Sequence, residues 1–278
     1  MSTSATYSAR TFTAGNTFTA AQANVLDAGI YDTHYPNSGA HNSIFRGKSL
    51  GTAMTSTQAG YISNATFADL FVGDYWTISS KVYRIAGFDY WYNCYSSTAI
   101  GHNAIVVPDA TMYNAPMNST NTTSGAYVGS AMYTCEEITV SDVTYTGLAN
   151  AISTLQSAFG DYLLTYENYL ANAVTNGYPS AQAWYTDRVC DLMTEQMVYG
   201  SACMQQMSYG GTLVANRRIG KSQLPLFALN PRYINIRATW WLSDVVSSAC
   251  FAFVTATGNA SASDASNANG VRPAFLVS

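Results

Sequence analysis

Apolar and polar positions are most sharply separated at the C-terminal end of the chain. Trp240-Trp241 opens the region, Ala249–Thr257 is an apolar run, and Asn259–Asn269 contains only Asn, Ala, Ser and Asp. Gly270–Val277 is apolar again. The pattern predicts a strand, a polar tip and a returning strand, together a hairpin over 249–277. Thr255, Thr257, Asn259, Ser261 and Ser263 fall on alternate positions, which puts them on one side of the strand and its extension. Adjacent strand residues face opposite ways, so one ring of Trp240-Trp241 is expected in the core and the other at the surface.

Upstream, the strongest helical period is in Ser141–Phe159, where Leu148, Ile152, Leu155 and Phe159 share a face and Gly160 closes the element. Thr19-Ala20-Ala21-Gln22 and Thr55-Ser56-Thr57-Gln58 both match the capping box that starts a helix. Thr66 is expected to cap a helical turn holding Phe67, Leu70 and Phe71. Tyr166–Val174 reads as a helix ended by Asn176-Gly177, and Pro231–Arg237 as a helical turn. Tyr75–Ile78 and Val82–Ile85 flank Ser79-Ser80-Lys81 as a hairpin. Phe88–Tyr92, Ala104–Val107 and Tyr162–Thr165 read as strands, and Leu224–Phe227 as an edge strand, where Pro225 is tolerated. Ser180–Gly200 fits helix or strand. Asn114–Ser130 is a long polar loop, of the kind that is functional or disordered. The fold class is therefore α+β, with antiparallel hairpins at both ends and helices between.

Composition changes the picture chiefly through charge. Asp, Glu, Lys and Arg make up 10% of the residues, against roughly 25% in ordinary soluble domains. Tyr occurs 21 times. A charge-poor, Tyr-rich surface suits a protein held in an assembly or displayed outside a cell. The net charge of −4 shows no basic patch, which argues against nucleic acid as a partner. No run approaches the ~20 apolar residues of a membrane span. Met1–Ala5 lacks the charged and apolar parts of a secretory leader, so export by that route is not expected. The five cysteines form no CxxC and are read as buried thiols.

The stretches Phe45-Arg46-Gly47-Lys48, Asp69–Trp76, Tyr83-Arg84-Ile85-Ala86, Trp240-Trp241-Leu242 and Gly270-Val271-Arg272-Pro273-Ala274-Phe275 stand in this order along the chain. Together they resemble phage and prophage structural proteins of intestinal Firmicutes, whose C-terminal domain is related to the C-type lectin fold. The resemblance covers roughly residues 45–278. It implies a C-type lectin-like domain over 44–278, with antiparallel sheets, helices between them and both chain ends of the domain in one sheet. An N-terminal arm, 1–43, would attach it to capsid or tail proteins and help hold a homo-oligomer, a trimer, at the virion surface. Gly270 would end the tip in a conformation denied to other residues. Arg272 would pair with a carboxylate or with carbonyls, and the two tryptophans would anchor a smaller second sheet.

The sequence departs from calcium-dependent sugar-binding lectins. It has no Glu-Pro-Asn or Gln-Pro-Asp triplet, and Trp241-Leu242-Ser243-Asp244 stands in place of Trp-Asn-Asp. No metal site and no cofactor are assigned. His34, His41 and His102 do not suggest a catalytic set, and Glu136-Glu137 reads as a solvated turn, so no catalytic residues are assigned either. The candidate ligand-binding residues are Trp240, Trp241, Asp244, Thr255, Thr257, Asn259, Ser261, Ser263, Asp264, Asn267 and Asn269. Their partner would be a host-cell or mucus glycan or a host receptor. The alternative is a non-adhesive decoration protein that stabilises the particle, with the tip as loop filler tolerant of substitution.

Overall fold

A computed structural model describes residues 38–204, 208–209, 212–213 and 222–278. The first expected capping box, the arm up to residue 37 and His34 lie outside the described residues. The described chain is mixed α+β and mostly sheet.

The first sheet is built from β1 (Ser49–Gly51), β2 (Tyr75–Ile78), β3 (Lys81–Phe88), β4 (Ala104–Pro108), β11 (Cys190–Leu192) and β18 (Pro273–Val277), in the order β1-β2-β3-β4-β18-β11. The short β8 (Leu163–Leu164) also pairs with β18. The second sheet runs β16-β15-β14-β17-β5, from β16 (Ala260–Asp264), β15 (Cys250–Val254), β14 (Trp240–Val245), β17 (Asn269–Val271) and β5 (Tyr113–Ala115). Three two-stranded pairs complete the set: β6–β7 (Ile138–Val140, Val143–Tyr145), β9–β10 (Tyr166–Thr175, Tyr178–Arg188) and β12–β13 (Ser208–Tyr209, Thr212–Leu213).

The two sheets meet where the chain passes between them. One crossing runs from Pro108 to Tyr113, the other is Arg272, between β17 and β18. Arg272 is fully buried. Its Nε donates to Pro108 O and its Nη1 to Tyr233 O, both at 2.8 Å. The guanidinium lies 4.8 Å from the Trp240 ring centre and 5.6 Å from that of Phe227. One side chain thus ties the first sheet, the 3-10 turn Pro231–Tyr233, the helix Pro225–Leu229 and the second sheet. The carbonyl alternative expected for Arg272 is the one realised. Burial lowers the Arg272 pKa to about 10, with the charge of Asp109 opposing the shift. Asp109 itself is gripped by Arg84, 2.7 Å from Nε.

Gly270 is needed for a different reason from the one expected. It has no positive φ. A Cβ there would lie 2.2 Å from Thr111 Cγ2 and 2.6 Å from Thr239 O, so close approach of the crossing segments requires the glycine.

Several readings hold. The β2–β3 hairpin forms around Ser79-Ser80, both with positive φ. The Thr55–Gln58 capping box starts the helix Ser56–Ser63 with both reciprocal hydrogen bonds. The helix Ala149–Phe159 buries Ala151, Leu155 and Phe159. Phe159 packs 5.3 Å from Tyr83 and 5.0 Å from Phe275. Pro231 opens the expected helical turn.

Others are corrected. Tyr166–Val174 is a strand, not a helix. Asn176 and Gly177 have φ of 50° and 85°, the conformation of a two-residue hairpin turn rather than a helix stop. Tyr166, Glu167, Asn168 and Leu170 are its buried residues. Leu224–Phe227 is not an edge strand: Pro225 occupies the first turn of a helix, where its missing N–H costs nothing. No helix follows Thr66, because Phe67 and Asp69 take positive φ. β3 stops at Phe88 because Asp89 turns with φ of 56°. Ser141 and Asp142 form the β6–β7 turn, so the helix starts later than its period suggested. Of the cysteines only Cys190 is buried, and Cys203 is exposed.

The boundary expected near Ser43 falls inside packed structure. His41 is fully buried beside Phe71, and Asn42 exchanges two hydrogen bonds with the Phe88 backbone at 2.7 and 2.9 Å. Phe45–Lys48 and Asp69–Trp76 form one unit. Arg46 bonds Asp69 and the buried Asp74, Lys48 Nζ sits 2.5 Å from Asp69, and Phe45 lies over Gly73, where a Cβ would be 2.3 Å from its ring.

The loop after β3 is held by Glu167 on β9. Its carboxylate accepts from the hydroxyls and backbone N–H groups of Ser96 and Ser97 and from Thr98 N at 3.0 Å. These donors, the Ser97 hydroxyl first, pull the Glu167 pKa to about 2 from an ordinary 4.5.

Two outcomes are expected. Arg272→Ala should lower the unfolding free energy by about 3 kcal/mol in urea titrations, because it leaves two buried carbonyls unpaired and a void beside Trp240. Arg272→Met, which refills the space, should recover part of that loss. Glu167 stabilises the fold fully above pH 4.5, and that contribution fades as pH falls towards about 2, since the unfolded chain takes the proton first. Melting temperature across that interval should fall less steeply in Glu167→Gln than in the parent; equal slopes would refute the assignment.

Candidate functional site

The expected hairpin over 249–277 is not the one that forms. β15 pairs with β16, inside the presumed tip, with Phe253 opposite Ser261 and Phe251 opposite Ser263. β17 pairs with β14 and β5, and β18 joins the first sheet. The turn between β15 and β16 is Thr255–Asn259. Thr255 N donates to Asn259 O at 2.8 Å, Gly258 N to Thr255 O at 2.9 Å, and Asn259 N to Thr255 Oγ1 at 3.0 Å. Gly258 has φ of 88°, so the turn needs a glycine there. The Thr255 and Thr257 hydroxyls lie 3.0 Å apart, and Asn259 Nδ2 donates to Thr257 at 3.3 Å.

The five alternating residues therefore do not form one row. Thr255, Thr257 and Asn259 belong to the turn. Ser261 and Ser263 share the face of Phe251 and Phe253, since residues directly opposite in a ladder point the same way.

Beyond β16 the polar residues are joined to one another. Ser263 Oγ accepts from Asn267 Nδ2 and Asn269 Nδ2, each at 3.1 Å. Asn269 is buried. Cys250 Sγ donates to Asp264 Oδ1 at 3.1 Å. Burial first, and the Asp264 carboxylate with it, raises the Cys250 pKa and keeps the thiol protonated.

Asn121 bridges this region to the long loop. Its Nδ2 donates to Asp264 Oδ2 at 3.2 Å, and its Oδ1 accepts from Ser266 N at 3.1 Å and Ser266 Oγ at 2.6 Å. Ala265 O accepts from Met117 N and Asn118 N, and the buried Thr123 donates to Ser247 O at 2.7 Å. Asn114–Ser130 is thus a built part of the body: Asn118, Thr123 and Ser130 are buried. Ser119, Thr120, Asn121, Asp264 and Asn267 remain exposed on the joined surface.

Neither tryptophan reaches that surface. Trp240 and Trp241 are both fully buried, which corrects the expected division between core and surface. Trp240 Nε1 donates to Ile234 O at 3.4 Å and Trp241 Nε1 to Ala115 O at 2.8 Å. Arg272 lies between the rings of Trp240 and Phe227, and Phe253, the cross-strand partner of Trp241, packs edge-on against it. Asp244 is buried as well; its Oδ2 accepts from Glu195 N at 2.5 Å, so it is part of the interior.

The surface has hydroxyls, amides and one carboxylate, and suits hydrogen-bond exchange with a neutral polar ligand. Nothing in it activates a nucleophile. His102 is paired with Asp89 at 2.9 Å and stacked on Tyr92, and Glu136-Glu137 is exposed in the link before β6. Among the described residues no three or more His, Cys, Asp or Glu side chains are grouped to hold a metal ion, and no helix is long and apolar enough to cross a membrane. Sequence reasoning treated the long loop and the tip as separate and missed Asn121 and Ser266. Both lie in Asn/Ser/Thr-rich stretches, but no local signal tells that the stretches touch.

In comparisons with known proteins the chain matches no protein-family model, no curated protein and no solved structure.

The hydrogen bonds divide the tip into tolerant and intolerant positions. Asn259→Ala, Ser261→Ala and Asn267→Ala should each change unfolding free energy by less than about 0.5 kcal/mol. Thr255→Ala and Asn269→Ala should each cost about 1 kcal/mol, since one ties the turn and the other is buried. Chemical denaturation of the five variants checks the division; a uniform response would refute it.

Proposed function

We propose that the chain is a structural protein of a phage particle surface, whose C-type lectin-like body displays the joined polar face for attachment to a host-cell or mucus glycan. The phage assignment rests on the motif resemblance. One observation favours attachment: Asn121 links two stretches distant in sequence through Asp264 and Ser266 into a single exposed face. A face of hydroxyls and amides around the single carboxylate of Asp264 matches the hydrogen-bonding groups of a sugar. The fold agrees with a lectin-like plan in having the C-terminal strand β18 inside the first sheet, next to β4, and a second sheet that carries the loops.

A single copy of such a face binds weakly, in the millimolar range, because it lacks an exposed aromatic ring. Useful adhesion requires several copies held together. The reading therefore includes a homotrimer, with the segment before Ser38 engaging capsid or tail proteins. A second reading, a non-adhesive decoration protein, is favoured by one fact: many polar groups of the tip already bond to one another.

Full-length protein carrying Thr257→Ala, Asn121→Ala and Asn267→Ala together should lose binding to host cells and to a glycan array while melting within a few degrees of the parent. Unchanged binding would move the site elsewhere. A parent protein that binds no glycan, on particles that fall apart without it, would establish the decoration reading. Light scattering at micromolar concentration should give a trimer; a monodisperse monomer would remove the avidity on which attachment depends.

A further inference from the structure

The loop after β3, Asp89–Asn103, carries two exposed aromatic rings. Tyr92 is 40% exposed and Tyr95 46%, whereas all five tryptophans are buried or half-buried. The loop is closed and braced. Asp89 N donates to Asn103 O at 2.7 Å where its ends meet, and Asn93 N donates to Ile100 O across it at 3.1 Å. Glu167 holds its middle through Ser96, Ser97 and Thr98. The Tyr92 ring is backed by His102, with 4.3 Å between ring centres and 11° between planes, and His102 Nδ1 lies 2.9 Å from Asp89 Oδ2. One face of Tyr92 rests on the imidazole, so its exposure belongs to the other face and the ring edge.

Area and charge decide what such a surface can hold. A whole tyrosine presents roughly 200 Å², so the two rings show roughly 80–90 Å² each. Their sum is far below the roughly 800 Å² per partner of a stable protein interface, but it suits one or two sugar rings. Asp89–Asn103 contains no Lys or Arg, and the carboxylates that brace it are engaged within the fold, so a charged ligand finds no free counter-charge. A neutral pyranose has an apolar C–H face to lay on a ring and hydroxyls at its rim. Asn93, next to Tyr92 and exposed, offers those hydroxyls a donor and an acceptor. A ring already fixed by His102 loses little freedom on contact.

We infer that Asp89–Asn103 is a second sugar-binding site, in which the free face of Tyr92 stacks on a neutral pyranose and Asn93 bonds a hydroxyl. His102 is a positioning residue that holds the Tyr92 ring. The site shares no residue with the polar face and does not rest on the attachment reading.

The test titrates full-length protein, its tyrosines ¹³C-labelled, with methyl β-glucoside, methyl β-galactoside and N-acetylglucosamine in turn. Tyr92→Phe identifies the Tyr92 ring signals. At least one sugar should shift them saturably, with a millimolar Kd. Saturation transfer to that sugar then ranks the variants. Tyr92→Ala should abolish binding, Tyr92→Phe should keep it within about twofold, and Asn93→Ala should weaken it about fivefold, the effect of one lost hydrogen bond. His102→Ala should weaken binding and also broaden the Tyr92 signals, because the ring has lost its backing. The Thr257→Ala, Asn121→Ala, Asn267→Ala variant should bind as the parent does. If Tyr92→Ala melts far below the parent, the parent titration and Asn93→Ala carry the decision. Tyr92 signals unmoved by all three sugars at roughly 50 mM, well above the expected range, would overturn the site, as would undiminished binding in Tyr92→Ala. Loss of binding in the triple variant alone would overturn it by assigning the sugar to the polar face. Attachment to periodate-treated cells that Tyr92→Ala abolishes would make the loop a protein contact and overturn the sugar assignment.

Discussion

A buried arginine at a chain crossing is the constraint on which the architecture depends. Arg272 occupies the one position between β17 and β18, where the chain leaves the second sheet for the first. Any residue there must enter the interior, and its neighbours Pro108 O and Tyr233 O need donors. Arginine supplies both bonds from one planar group and stacks against Trp240. The cost is a desolvated charge, visible in its lowered pKa and only distantly relieved by Asp109. That cost is compensated by geometry: with Arg272 in place, the tryptophan, the Pro231 turn and both crossings have a common anchor.

The same device recurs where loops leave the sheets. A chain with so few charges cannot rely on surface ion pairs, which contribute little in any case. It places single carboxylates against groups of donors instead. Asp74 collects Arg46 and the Lys48 and Phe71 backbones; Glu167 collects Ser96, Ser97 and Thr98; Asp191 collects Arg188, Asn168, Tyr127 and Tyr166. Each cluster ties together segments distant in sequence. Asn121 does the neutral version of this at the polar face. Order in the loops is therefore a property of the polar residues and not only of the core.

Elements whose cause is local were legible in the sequence. The Thr55 capping box, the β2–β3 hairpin, the helix ending at Phe159 and the turn at Pro231 follow from side chains within a few residues of one another. Where two local signals competed, the reading went astray. Asn176-Gly177 ends helices and also turns hairpins, and only the partner strand β10 selects the second. Pro225 suits an edge strand and a helix start alike, and contact with Gly87 on β3, where a Cβ would lie 3.0 Å from Pro225 Cδ, goes with the helix.

By itself the sequence determined an α+β chain of low charge and several of its hairpins and helix starts. It also marked both polar stretches that meet at the surface. Only the tertiary structure decided that they meet, that Ala260–Asp264 is a strand, and that Trp240 and Trp241 are both buried. The physical reason is common to all three. Ala and Ser carry little strand preference, so β16 exists because β15 offers it a ladder. Alternation assigns two tryptophans to opposite faces, but whether each is covered depends on residues distant in sequence, such as Arg272 over Trp240 and Ala115, whose carbonyl takes the Trp241 N–H.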